Sequence, residues 1–106
     1  MDFFRDLKAD IAIDREMNRR SPSWKDFLRP LAVPQLCCLA IYRLSRLCYL
    51  KVYTTIARIL RNFNIVYFGI DIQPDAEITG GCFIGHPVGV VVGPHVQIDE
   101  GCKIFQ

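Results

Sequence analysis

The side chains best suited to acid–base chemistry are one histidine and one aspartate. His86 sits in Phe83-Ile84-Gly85-His86-Pro87-Val88-Gly89-Val90-Val91-Val92-Gly93. Gly85, Gly89 and Gly93 free the backbone to bulge there, and bulges on a regular scaffold present functional side chains. An imidazole, with an unperturbed pKa of about 6.5, can take a proton from a hydroxyl near neutral pH. Asp71 stands fifteen positions earlier. A carboxylate bonded to one ring nitrogen would fix the tautomer and stabilise the imidazolium. Both residues equally suit plain structural turns. His95 falls at a turn position and reads as exposed and structural. The five cysteines, Cys37, Cys38, Cys48, Cys82 and Cys102, contain no CxxC. They read as free, buried thiols of a reducing, cytoplasmic setting, and no paired ligands stand at metal-binding spacing.

What positions these residues is a sixfold beat. Ile72, Ile78 and Ile84 recur every sixth position, and after a two-residue slip the beat resumes at Val92, Ile98 and Ile104. Four residues after each start, where the beat is unbroken, comes a small or medium apolar residue: Ala76, Cys82, Val88, Val96 and Cys102. This period is neither helical nor alternating; it marks a parallel β-helix, with one short strand and one turn per hexad. Three hexads, about eighteen residues, make one coil, so Asp71 and His86 fall about a coil apart on the same or adjoining edges. The slip at His86 is the expected bulge. The period leaves the hand of the coil open.

The chain ahead of the repeat reads as helical. A first helix is expected over residues 2–18, with Phe4, Leu7 and Ile11 on one face and Arg5, Asp6, Lys8, Asp10, Asp14 and Arg15 on the other. Ser23-Trp24-Lys25-Asp26 resembles a capping box opening a short helix that ends near Pro30. Pro34 suits the first turn of a third helix, with Leu36, Leu39, Ala40, Arg43, Leu44 and Leu47 at helical spacing. A fourth is expected over Val52 to Phe63, with Ile56, Ile59, Leu60 and Phe63 inward. Ile65 to Ile70 reads as an extended lead into the repeat. The fold class is therefore α+β: a helical segment, 1–64, then a short hexapeptide-repeat β-helix, 65–106.

Composition narrows the function. The chain is 51% hydrophobic and 23% charged, with a formal net charge of +2, which is globular and too weakly basic to imply nucleic acid. Arg43, Arg46, Lys51, Arg58 and Arg61 interrupt the apolar stretch, so no window of roughly 18 residues suits a membrane span. No basic region followed by an apolar run suggests a signal peptide. Between Asp26 and Asp71 there is no acidic residue. That basic stretch reads as a solvated face, and leaves open contact with a membrane surface or a phosphorylated substrate.

The run Asp71-Ile72-Gln73-Pro74-Asp75-Ala76-Glu77-Ile78, continued by Ile84-Gly85-His86-Pro87-Val88-Gly89-Val90-Val91-Val92-Gly93, resembles the serine acetyltransferases of the hexapeptide-repeat acyltransferase family. Those enzymes carry D-I-H-P-G-A-x-I-G-x-G-x-F-I-D-H-A-T-G-V-V-I-G, with the same slip and the same Asp-to-His spacing. Ala40-Ile41-Tyr42-Arg43-Leu44 and Asp10-Ile11 resemble two helical stretches of the family. The resemblance implies a left-handed β-helix, a homotrimer with active sites between subunits, and acetyl-CoA as co-substrate without a metal. It implies that His86 deprotonates the hydroxyl of L-serine, with Asp71 as its partner, in cysteine biosynthesis. Gln73 and Gly85 stand where the family has His and Asp. The resemblance puts the acetyl-CoA groove on coils beyond Gln106. Two alternatives stay open: acetylation of a sugar or polysaccharide hydroxyl, and a truncated, non-catalytic assembly module.

Overall fold

The sixfold beat becomes a set of parallel pairings. The computed structural model describes residues 3–17 and 33–105. Among these, six two-residue strands follow one another: β1 (Asp71–Ile72), β2 (Glu77–Ile78), β3 (Phe83–Ile84), β4 (Val91–Val92), β5 (Gln97–Ile98) and β6 (Lys103–Ile104). Each of the first three pairs in parallel with the strand three later, giving three separate sheets, β1–β4, β2–β5 and β3–β6. Asp71 lies over Val91, Glu77 over Gln97 and Phe83 over Lys103. The chain thus returns to the same side after twenty residues, not eighteen, because the slip falls inside the circuit. In every strand the second residue points inward, as expected for a period-two side-chain pattern on a short strand. Ile72, Ile78, Ile84 and Val92 are buried, with Ala76 and Cys82 filling corners. Burying one such aliphatic side chain is worth about 1.5–3 kcal/mol. Val88, expected at a corner, is instead 60% exposed, because the slip carries it out of the stack.

Three helices precede the coil among the described residues: α1 (Phe3–Met17), α2 (Pro34–Leu50) and α3 (Thr54–Phe68). The short helix expected from Ser23 lies outside the described residues. Pro34 opens α2 as anticipated, its missing N–H costing nothing in the first turn. Cys38, Leu39 and Tyr42 of α2 belong to the same buried cluster as Ile70, Ile72, Ile78 and Ile84, so helices and coil share one core.

Three expectations are corrected. First, α1 turns its acids inward: Asp6, Asp10 and Asp14 are buried, while Phe4 is 70% exposed. The cause is Arg43 of α2, itself fully buried, whose guanidinium binds both Asp10 oxygens and approaches Asp6. Second, Ile56, Ile59 and Phe63 of α3 face outward, and Ala57 and Asn64 are the buried positions. Small Ala57 permits close approach, and the Asn64 side-chain amide donates to the Cys38 carbonyl at 3.1 Å. Third, residues 65–68 are helical; the helix stops one residue later, at Gly69, whose φ of +67° and N–H bond to the Ile65 carbonyl make a left-handed cap. The β-prone types of Ile65 to Phe68 yield to helix propagation once the preceding turns are packed.

The first coil has strands on one side only, and side chains from the helices finish the other. Tyr42 donates to the Ala76 carbonyl and accepts from the Ile78 N–H. Arg43 donates to the Ile78 carbonyl at 2.8 Å, and Arg46 to the Pro74 carbonyl. Asp10 accepts from the N–H groups of Gly81 and Cys82 at 3.0 and 2.9 Å, and Gln35 donates to the Gly85 carbonyl. Gly80 lets α1 come this close: a Cβ there would stand 2.8 Å from an Asp6 oxygen and 3.1 Å from its Cα.

Replacing Arg43 by Met should destabilise the protein by about 3–5 kcal/mol in urea unfolding, since it strands a buried Asp10 carboxylate. Val52, at φ +67° between α2 and α3, is a β-branched residue in left-handed backbone. Val52→Gly should raise stability by roughly 1 kcal/mol through strain relief, measured the same way.

Candidate functional site

His86 lies on the bulge that the slip creates, and it is exposed. Both its flanks are pinned. On one side the Gly85 N–H bonds to the Ile104 carbonyl at 2.8 Å, and Gly85 is buried under the Phe105 ring. A Cβ at Gly85 would lie 2.4 Å from two carbons of that ring. On the other side Pro87 to Val90 form a turn closed by the Val90 N–H bond to the Pro87 carbonyl. Gly89 takes φ +83° in that turn, as a type II turn demands of its third residue, and its N–H bonds to the Gly69 carbonyl. The imidazole therefore projects from a fixed backbone. Over the preceding Gly85 lies Phe105, which makes an edge-on ring contact with Phe83, and Val88, two residues after the histidine, is exposed.

Asp71 opens β1, its N–H bonded to the Val90 carbonyl at 2.9 Å. Its carboxylate is held by Arg61 of α3 in a two-point contact, Nε to Oδ1 at 2.7 Å and Nη2 to Oδ2 at 2.9 Å. That hydrogen bond raises the Arg61 pKa above its ordinary value. No hydrogen bond or ion pair joins Asp71 to His86 within the chain. The chain thus exposes the histidine and holds the carboxylate on Arg61. Arg61 was missed by sequence reasoning. Its only signal was membership of the acid-free basic stretch, which says nothing about which arginine meets which acid.

The remaining candidates separate by environment. The His95 side chain is 82% exposed, as anticipated, and its Nε2 lies 3.7 Å from Asp75 Oδ2 at the matching corner of the previous circuit. All five cysteines are free thiols, Cys38 and Cys82 fully buried. Burial pushes both of those thiols up to about 12, which removes them as nucleophiles near neutral pH. Among the described residues no group of three or more His, Cys, Asp or Glu side chains is arranged to hold a metal ion. No helix there is long and apolar enough to cross a membrane.

Comparison with known proteins gives a consistent result. No protein-family model matches the chain. It is 31% identical over 104 residues to a serine acetyltransferase of Synechococcus elongatus, covering 97% of this chain and 41% of that protein. It is 29% identical to the Bacillus subtilis serine acetyltransferase, covering 98% of this chain and 47% of the relative. Among solved structures, a serine acetyltransferase in complex with CoA superposes with a TM-score of 0.85 at 26% identity, covering 98% of this chain and 43% of that one. The Neisseria gonorrhoeae serine acetyltransferase in complex with serine gives 0.82 at 25% identity, covering 98% and 42%. The chain spans less than half the length of these relatives.

The thiol environments have a measurable consequence. Cys38 and Cys82 stay protonated in the folded chain up to about pH 12, whereas an unfolded thiol ionises near 9.0. Above that lower value the unfolded chain binds fewer protons, so stability falls as pH rises, by up to about 1.4 kcal/mol per pH unit per thiol. Urea midpoints between pH 8 and 10.5 should fall in the wild type and fall less steeply in a Cys38→Ala, Cys82→Ala variant.

Proposed function

The chain is a serine acetyltransferase-like member of the hexapeptide-repeat acyltransferase family, and from that premise we propose that it serves transfer of an acetyl group from acetyl-CoA to the hydroxyl of L-serine, within cysteine biosynthesis. The observation that carries this reading is the match over nearly the whole chain, at about 30% identity, to proteins of that name. Support on the acceptor and donor comes from the neighbours bound to serine and to CoA. In this reading the repeat winds as a left-handed β-helix and His86 is the general base. It takes the hydroxyl proton as the oxygen attacks the thioester carbonyl, and returns that proton to the departing thiolate of CoA. No covalent enzyme intermediate is needed. Asp71 turns toward His86 in the assembled site and steadies the imidazolium. The assembly is a homotrimer with sites between subunits, which gives a partner to the exposed apolar face of α3, formed by Ile56, Ile59, Phe63 and Val66.

One observation favours a second acceptor, a sugar hydroxyl. Gly85 stands where the family pattern has Asp, and the exposed ring of Phe105 covers it. An aromatic ring over the residue next to the base can stack on the apolar face of a sugar.

The test is release of free CoA from acetyl-CoA by the full-length gene product, with L-serine and with a panel of sugars as acceptors. Serine-dependent release should fall by about 10²–10⁴-fold in His86→Ala. Undiminished release in that variant would remove His86 from the mechanism, and release with a sugar but not with serine would select the second acceptor.

A further inference from the structure

The stretch that carries His86 runs from Cys82 to Cys102. Cys82 directly precedes β3 and Cys102 directly precedes β6, and those strands pair in parallel with Phe83 over Lys103. The register extends back through both cysteines. The Gly101 N–H bonds to the Gly81 carbonyl at 3.1 Å, and the Phe83 N–H bonds to the Cys102 carbonyl at 2.9 Å. Cys102 therefore lies over Cys82, one circuit later. Strands in such register stand about 4.8 Å apart, within the roughly 4.4–6.8 Å of Cα separation that a disulfide spans. Cys82 is fully buried at its corner, whereas Cys102 in the second circuit is only half-buried.

The other thiols are placed differently. Cys37 and Cys38 are adjacent on α2, where sequence neighbours do not face each other. The Cys38 thiol donates to the Gln35 carbonyl at 3.1 Å. Cys38 shares the core with Cys82, but both are fully buried, so neither of that pair meets a reagent from solvent. Cys48 stands near the far end of α2.

We propose that Cys82 and Cys102 form a redox modification site, which a small disulfide such as glutathione disulfide oxidises to an intramolecular disulfide. Partial exposure makes Cys102 the entry point. Its thiolate attacks one sulfur of the reagent, and the other half of the reagent leaves as a thiolate. Cys82 then attacks the Cys102 sulfur, and its proton passes to the second departing thiolate. The two protein thiols thus give up two electrons and two protons, and the reagent is reduced to two thiols. Burial pushes the Cys82 thiol up to about 12, which makes the second step the slow one. Stacking offsets this by holding the two sulfurs at high effective concentration. The bridge closes the chain around the His86 bulge and ties the first circuit to the second.

The test is to hold the folded full chain in glutathione disulfide, alkylate the remaining thiols and map peptides by mass spectrometry. Alkylatable thiols should fall from five to three, since two of the five free cysteines pair. A linked Cys82–Cys102 peptide should appear and should vanish with dithiothreitol, and the bridge should raise the urea midpoint. In Cys82→Ala, Cys102 should stop as the mixed disulfide with glutathione. In Cys102→Ala, Cys82 should stay reduced. Far-UV circular dichroism shows whether each variant is folded. Should Cys82→Ala fail to fold, Cys102→Ala, at the half-buried position, carries the test. The proposal is overturned if the wild type consumes no thiol or ends with glutathione still on Cys102. It is equally overturned if the bridge joins two chains or uses Cys38, or if Cys82 is oxidised as fast without Cys102. None of these readouts involves acetyl transfer, so the reading of His86 stands or falls separately.

Discussion

A coil of short parallel strands has an unpaired first edge, and the rest of this structure is arranged to answer it. Exposed strand edges invite other chains, and buried backbone groups without partners are costly. Here the edge from Pro74 to Gly85 is met by side chains, one after another: Arg46, Tyr42, Arg43, Asp10 and Gln35. Four of the five come from one face of α2. That helix is therefore an end cap for the coil, and its sequence reads as a list of donors and acceptors matched to a fixed backbone.

The buried charges follow from the same need. Arg43 cannot sit at the edge, donating to the Ile78 carbonyl, without an acid to balance it. Asp10 supplies that balance and spends its Oδ1 on two further N–H groups of the coil. Burial raises the Asp10 carboxyl above its ordinary value, while Arg43 and those N–H groups work against the rise. This explains why α1 buries its acids and exposes Phe4. The side of α1 that carries its charge is the side with work to do.

Much of the coil was legible in the sequence because its period is a direct imprint of its geometry. Ile72, Ile78 and Ile84 lie six apart since a strand and a turn take six residues, and the slip at His86 announced its own bulge. The helices were legible in extent but not in orientation. Hydrophobic periodicity puts apolar faces inward, and it fails where a buried ion pair reverses the sign, as at Asp10 on α1, and where apolar side chains stay exposed, as at Ile56 and Ile59 on α3. Of the candidate site, the exposure of His86 was readable from its glycines. The grip of Arg61 on Asp71 was not, because a pairing between a helix and a strand leaves no local spacing to read.

The two additional residues at the slip are absorbed at one corner, and all three sheets stay in register above and below it. That makes the corner a place in the first circuit where added chain length leaves the strand register undisturbed. Loops of other lengths and chemistries can be grafted between those pinned flanks while the strands beneath keep their stacking, so the surface near His86 can diversify without disturbing the core.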